Sequence, residues 1–402
     1  MGNVILLTID TLRRDVLGCY GGGSLTPFID SIQTRCIRFD RAYSPGPYTR
    51  AAFPGLLTSS HYLEFGKEKK LGKTRVLISE VLKKAGIVTA AFHSNPYLTE
   101  YMGWKRGWDI FYDSMQEKVD PKVPYIKADR INRKVNAWLS SYAGIGGNKP
   151  FFLWLHYMDV HEPYVPPRKY IDLIDPSITL SEEEMFQLFK EVLLKRDVSD
   201  PGKVEVLRKL YRAHVREIDD AVRELFGGLE ESGVLKDSVI ILTTDHGDEF
   251  GEHGGLSHDG KLYDELVHVP LILYEPARER NEACRTLVST LDVSPTIAHL
   301  FGVEPPQAFE GRSFLPLESY PVKGVFGEAV DKHGSDEKGE EKEVHYYLEG
   351  NLKIIYHERD NSWELYDLKA DPKESKNIVT TSPVAEALRD KIRPRVRRYE
   401  RQ

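Results

Sequence analysis

Asp245 and His246, adjacent in TTDHGDEFGEHGG (243–255), set a carboxylate beside an imidazole in a stretch whose glycines let the backbone turn tightly around an ion. Asp10, at the end of the apolar run NVILLTID (3–10), adds a second carboxylate. Two hard oxygens and one imidazole nitrogen suit one divalent cation, Mn²⁺, Zn²⁺, Ca²⁺ or Mg²⁺, and do not suit a thiolate-bound one. Such an ion needs a reacting partner. SPGPYTRAAFPGLLTS (44–59) offers Thr49 after a Pro-Gly-Pro turn and before a helix-compatible run, so its hydroxyl and the following N–H groups fall at a helix N-terminus, where anions bind. A plain alcohol is a weak nucleophile that a metal can activate without a neighbouring base. Thr49 could equally cap the helix, and both roles are compatible. HYMDVHEP (156–163) brings His161, and SHDGKLYDE (257–265) brings His258 and Lys261. Cationic groups of this kind stabilise charge developing on a transferring phosphoryl or sulfuryl group. His253 reads as a loop residue and His268 as flanking a strand.

These residues need elements to position them. Five apolar runs read as fully buried strands: 3–10, 87–95, 151–159, 238–248 and 269–276. Helical patterns lie between them. Thr26 and Pro27 open TPFIDSIQTRC, Gly86 closes VLISEVLKKAG, and a long amphipathic run covers 203–233. Alternation of this kind predicts an α/β fold with a mostly parallel sheet and helices on both faces. Four of the strands end in polar residues: Asp10; His93 with Asn95; His156, Asp159 and His161; Asp245 with His246. A lone strand-end aspartate more often caps a helix, but ligands in open α/β sheets bind beyond the carboxyl ends of strands, and four strands agree. Beyond about residue 315 the texture changes to short strand-like pieces, HYYLEGNLKIIYHE and SWELYDL, and a basic helical tail, RDKIRPRVRRYERQ. The expected division is 1–318 for a catalytic domain and 319–402 for a C-terminal subdomain. The charged run DKHGSDEKGEEKE reads as a solvated hairpin tip or loop.

With 402 residues, 41% of them hydrophobic, the chain can bury a large core. A net charge of -7 argues against nucleic acid as a partner. Three scattered cysteines make neither a disulfide framework nor a zinc pattern, which points to a reducing compartment. No signal peptide and no run long enough for a bilayer is visible, so the expectation is a cytoplasmic protein with no membrane contact.

The order NVILLTIDTLRRDVLGCYGG, TRAAFPGLLTS, AGIVTAAFHSN, HYMDVHEPY, TTDHGDEFGEHG, KLYDELVHVPLIL, LDVSPTIAHLFGV and ELYDLKADPKE, spread over nearly the whole chain, resembles the sulfatase branch of the alkaline-phosphatase superfamily. The resemblance implies an α/β sandwich around a mixed sheet, a small C-terminal subdomain with a short antiparallel sheet, and a metal beside a covalent nucleophile. It places Asp10, Asp245 and His246 on metal positions, His258 and Lys261 on substrate and leaving-group positions, and His161 in a PH-like segment. The sequence also departs from the family pattern. The position of the Cys or Ser that becomes formylglycine holds Thr49, which cannot be so converted. The motif proline is Ala51 and the motif arginine Phe53. SNP stands near Asn95 in place of G-K-W-H, and the second of the paired aspartates is Thr11.

A threonine there looks like the phosphate-handling relatives, among them phosphodiesterases and headgroup transferases. The expected activity is therefore metal-dependent hydrolysis or transfer of a small phosphate ester. Thr49 attacks, Lys261, His258, Asn95 and Arg50 hold the peripheral oxygens, and His161 serves the leaving oxygen. The alternatives are a sulfuric ester hydrolase and a non-catalytic, metal-binding member of the fold. A second ion on Asp159, His161 and His258 is the less favoured arrangement.

Overall fold

The central strands of this chain form where apolar runs are buried on both faces. In the computed structural model, which describes residues 2–67, 70–120, 122–144, 149–321, 324–331 and 341–399, eight strands make one sheet. They are β1 (Asn3–Ile9), β2 (Arg35–Phe39), β3 (Val88–His93), β4 (Ile110–Asp113), β5 (Phe151–Tyr157), β6 (Ser238–Thr243), β7 (Leu271–Tyr274) and β8 (Arg280–Cys284). Their spatial order is β8-β2-β7-β6-β1-β5-β3-β4. β1 lies parallel to both β5 and β6, and β3 parallel to β5 and β4. β7 is antiparallel to β6 and β2, which makes the sheet mixed.

Alternation along β1 decides what covers each face. Ile5, Leu7 and Ile9 enter a core shared with helix Pro201–Glu231, whereas Val4 and Leu6 enter a core shared with Phe53, Leu56 and Leu57 of helix Thr49–Thr58. The helix that carries Thr49 is thus fixed to the sheet by its own apolar stripe.

The run 269–276 is not one strand. Pro270 has no N–H to give a ladder, and the chain breaks there. His268–Val269 joins a small sheet with Ala42–Tyr43 and Val288–Ser289, and only Leu271–Tyr274 stays in the main sheet. Pro27 opens its helix as expected, but Thr26 makes no side-chain cap. The Asp219 carboxylate accepts instead from Phe28 N and Ile29 N, both at 2.9 Å.

The C-terminal part forms a four-stranded antiparallel sheet, β9 (Val325–Asp331), β10 (Lys342–Glu349), β11 (Leu352–His357) and β12 (Ser362–Asp367), followed by helix Ala385–Tyr399. Gly350 turns the β10–β11 hairpin at φ +59°. Most of DKHGSDEKGEEKE lies outside the described residues, as do the last three residues of the basic tail. This small sheet holds the loop that precedes Thr49. Tyr346 Oη donates to Ser44 O at 2.8 Å, Glu328 N donates to Pro45 O at 2.8 Å, and Tyr48 Oη accepts from Val330 N at 2.9 Å. Among the described residues no helix is long and apolar enough to cross a membrane.

Candidate active site

The parallel strands β1, β3, β5 and β6 end on one edge, so Asp10, Asn95, His156 and Asp245 meet there. The register fixes which atoms touch. Thr8 pairs with His156 on one side and Thr243 on the other. Asp10 Oδ2 receives Asn95 Nδ2 at 2.9 Å and lies 3.1 Å from His156 Nε2; the other nitrogen of that ring lies 2.9 Å from Thr8 Oγ1. Trp154 Nε1 donates to the same Thr8 oxygen at 3.1 Å. One oxygen of Asp10 is therefore spoken for, and Oδ1 has no hydrogen-bond partner among the described residues.

It faces the second half of the cluster. His246 Nδ1 donates to Gly247 O at 2.9 Å, which leaves Nε2 as the lone-pair nitrogen. Nε2 sits 3.3 Å from Asp245 Oδ2 and 3.7 Å from Asp10 Oδ1. The loop can fold this tightly because a Cβ on Gly247 would stand 2.1 Å from Glu265 O. Thr11, directly after Asp10, is held at φ +55°, a costly backbone for a β-branched residue and a mark of a constrained site. Ligand atoms of Asp10, Asp245 and His246 lie within 4.8 Å of one another, all three residues being buried. Among the described residues Asp245 Oδ2, like Asp10 Oδ1, has no hydrogen-bond partner. Two buried carboxylate oxygens without donors, converging with an imidazole lone pair, fit a divalent cation as the group they await.

Electrostatics point the same way. Burial pushes Asp245 up to about 7, with the charge of Asp10 pushing in the same direction. Burial would also raise Asp10, but the His156 hydrogen bond and the neighbouring imidazoles hold it well below the usual carboxylate range.

A cavity of about 360 Å³ opens beside this cluster and is lined by Thr49, Arg50, Asn95, His161, Glu162 and His258 among others. Thr49 is the first residue of its helix, one position inside the cap, which is Tyr48. Its side chain is nearly buried, and among the described residues its hydroxyl has no hydrogen-bond partner. His258 links cavity and cluster: its ring centroid lies 4.6 Å from that of His246 and 4.9 Å from that of His161. Its Nδ1 donates to Asp248 Oδ1 at 2.8 Å, while Tyr164 Oη donates to the other Asp248 oxygen. His161 Nδ1 donates to Glu162 O at 2.8 Å. Burial alone would lower His161, yet Glu162, Asp10 and Asp248 raise it to about 9.

Not every expected residue gathers here. The Lys261 ammonium is held by the buried Glu249 carboxylate at 2.9 and 3.1 Å and by His253 O at 2.8 Å, and it does not line the Thr49 cavity. Asn95 lines the cavity, but both ends of its amide are engaged, Nδ2 by Asp10 and Oδ1 by Tyr97 N at 2.9 Å. It acts as a brace for Asp10. Arg50 lies over the Tyr97 ring, 5.8 Å from its centroid. Asp159 accepts from Ala128 N at 2.8 Å and so caps helix Ala128–Gly144 instead of joining His161 and His258. Glu162 stands with those two imidazoles in its place.

Asp248 and Glu162 were not among the expected site residues, and His156 was expected only as one of the polar residues at a strand end. Only His156 left a signal: alternation along β5 puts it on the Trp154 side, at the last turn before the sheet edge. Removing such a support behind a metal ligand typically costs 10–100-fold in metal affinity. His156→Ala is expected to weaken Mn²⁺ binding by that order, read by calorimetric titration. An unchanged affinity would show that Asn95 alone suffices to orient Asp10.

A family model described as Sulfatase matches residues 2–303, and one described as N-sulphoglucosamine sulphohydrolase, C-terminal matches residues 251–402. The chain belongs to the sulfatase family, within the alkaline-phosphatase superfamily. It is 26% identical over 454 residues to an Escherichia coli (strain K12) protein named as an uncharacterized sulfatase, YidJ, covering 99% of this chain and 89% of that protein. The fold is similar to that of a protein solved in complex with its substrate D-glucosamine-2-N,6-O-disulfate, at a TM-score of 0.81, 20% identity and coverage of 100% of this chain and 98% of that one. It is also similar to a phosphonate monoester hydrolase of Agrobacterium radiobacter, at a TM-score of 0.74 and 17% identity, covering 100% of this chain and 96% of that one. The protein is a sulfatase-superfamily hydrolase with an α/β fold, a mixed central sheet and a small C-terminal β subdomain.

Proposed function

We propose that the protein is a metal-dependent hydrolase of small sulfuric or phosphoric esters in which Thr49 attacks the ester. The observation that carries this reading is the junction of the Asp10–Asp245–His246 cluster with the Thr49 cavity through Asn95 and His258. Asp10, Asp245 and His246 would hold the divalent cation, which when bound lowers the pKa of an adjacent hydroxyl and offsets negative charge. Thr49 presents its oxygen at a helix N-terminus, where backbone N–H groups favour an anionic group. His161, whose proton affinity Glu162, Asp10 and Asp248 raise, would donate to the departing oxygen. His258, oriented by Asp248, and Arg50 face the peripheral oxygens.

The ester class rests on two observations of unequal weight. The family match and the disulfated-sugar complex of a structural neighbour favour a sulfuric ester, and this is the better supported reading. The residue at the attacking position favours a phosphoric ester. A threonine phosphate can be released by in-line attack of water, whereas a threonine sulfate lacks the hydroxyl that lets a formylglycine hydrate expel sulfate. Similarity to phosphonate monoester hydrolases adds to that second reading. Rates of the Mn²⁺-loaded protein on an aryl sulfate, an aryl phosphodiester and an aryl phosphomonoester with one common leaving group separate them. Sulfate turnover above both phosphates assigns a sulfatase; the reverse assigns a phosphoesterase; no turnover on any of the three contradicts the proposal and leaves a metal-binding, non-catalytic member of the family.

A further inference from the structure

A cleft of about 820 Å³ lies between the catalytic part and the C-terminal sheet, and it shares no lining residue with the Thr49 cavity. Arg13, Arg14 and Asp15, which follow β1, form one side with Glu252, Asp264 and Glu265. Asn351 in the β10–β11 turn, with Lys369 and Lys373 after β12, forms the other. Each acid on the lining has a basic partner. Arg13 holds Asp15 at 2.7 Å and Glu252 at 2.8 Å. Asp264 lies 2.9 Å from the buried Lys353 ammonium, and Glu265 lies 2.6 Å from His253 Nδ1. Four cations on the lining, Arg14, Arg41, Lys369 and Lys373, make no ion pair among the described residues. Arg14 lies over the Tyr20 ring, 4.4 Å from its centroid, and its buried Nε has no hydrogen-bond partner among the described residues. Arg41 donates to a backbone oxygen, Gly350 O. Lys369 and Lys373 are exposed at the rim.

A chain of net charge -7 has acids to spare, yet none is set against these four cations. Charge of one sign gathered in a concave site focuses its field on the opening and draws in an anion. We propose that this cleft is a second binding site, for a small organic molecule carrying two phosphoryl groups. Arginine forks match phosphoryl oxygens two at a time, and lysines add point charge. A phosphate monoester carries about 1.5 to 2 negative charges at neutral pH, so two such groups balance four cations. A single phosphate or sulfate would leave about half of that charge unmatched. The volume also suits an organic molecule, since small-molecule sites run to roughly 300–1,000 Å³ and favour the junction of two parts of a fold. The inference goes beyond the ester hydrolysis at Thr49 and does not depend on it.

Fructose 1,6-bisphosphate and fructose 6-phosphate are the probes, titrated by calorimetry into the Mn²⁺-loaded Thr49→Ala protein so that neither is consumed. The bisphosphate is expected to bind at least tenfold tighter. The double variant Lys369→Glu, Lys373→Glu should weaken the bisphosphate at least tenfold and fructose 6-phosphate less than twofold. Both lysines are exposed and unpaired, so its melting temperature should not change. Arg14→Gln should weaken the bisphosphate at least fivefold. With Thr49 intact, the lysine variant should turn over the preferred aryl ester at the unaltered rate, because neither lysine lines the Thr49 cavity. Equal affinities for the two probes, or bisphosphate binding that survives in both variants, would overturn the second site. Hexane-1,6-disulfonate binding as tightly as the bisphosphate would overturn the assignment to phosphoryl groups. Bisphosphate binding in a protein that turns over no ester would uphold the cleft and overturn the hydrolase.

Discussion

Thr49→Ala is expected to lower turnover of the preferred ester by roughly a thousandfold or more, the loss usual when an attacking group is removed. Thr49→Ser, which keeps the hydroxyl, is expected to retain turnover to within about tenfold. Stability should barely change in either variant. The hydroxyl has no hydrogen-bond partner among the described residues, and the N-cap position is one residue earlier, at Tyr48, so no backbone group depends on the Thr49 side chain. Loss of one hydroxyl and one methyl from an almost buried site that borders a cavity costs about 1 kcal/mol or less. This separation makes the comparison informative: a large fall in kcat with an unchanged melting temperature identifies a chemical role. Full activity in Thr49→Ala would mean that water or another group attacks and that Thr49 only lines the cavity. Trapping adds a second readout. If Thr49 forms an ester intermediate, rapid acid quench of the working protein should yield a peptide spanning Thr49 with the mass of one added phosphoryl or sulfuryl group.

Much of the frame was legible because burial is written in composition. Runs such as NVILLTI and FFLWLHY are apolar on both faces, and the sheet gives them no other place than its centre. The edge strands Ile110–Asp113 and Arg280–Cys284, and Arg35–Phe39 next to the latter, escaped notice because each is short and half charged or half exposed, so no apolar run stands out. The convergence of Asp10, Asp245 and His246 was legible for a geometric reason: parallel strands place their last residues on one edge, and Asp10 and Asp245 follow two adjacent strands. Roles that depend on register or on loop paths were not. His156 becomes a support of Asp10 only because Thr8 and His156 are paired, and no local pattern states that pairing. Lys261 lies near the expected cluster in sequence, yet Glu249, a buried carboxylate twelve residues away, captures its ammonium. Asn95 looked like a ligand for substrate oxygens, and the turn that follows it draws its carbonyl to Tyr97 N instead.

Cation binding at Asp10, Asp245 and His246 is expected to be coupled to pH with a definite sign. Without a cation the folded protein keeps a proton on Asp245 up to about pH 7, because burial and the Asp10 charge oppose its ionisation. In the unfolded chain that carboxyl ionises near 3.9. Between these values the folded state binds more protons, so this group makes the cation-free protein less stable as pH rises from about 4 to 7. His161, raised to about 9 against an ordinary value near 6.5, extends the same trend: its stabilising share is full below about 6.5 and is lost toward 9. A divalent ion reverses the balance at Asp245, since it binds the ionised carboxylate and displaces the proton. Apparent Mn²⁺ affinity should therefore climb by about tenfold per pH unit below 7, one proton released per ion, and flatten above it. The rise in melting temperature on adding Mn²⁺ should be clearly larger at pH 8 than at pH 6. Asp245→Asn should abolish both the affinity and its slope, while the cation-free variant should no longer lose stability between pH 4 and 7 through this position. A Mn²⁺ shift of equal size at both pH values, with wild-type slope retained in Asp245→Asn, would place the ion elsewhere and leave the buried carboxylate pair as a purely structural, proton-sharing element of the sheet edge.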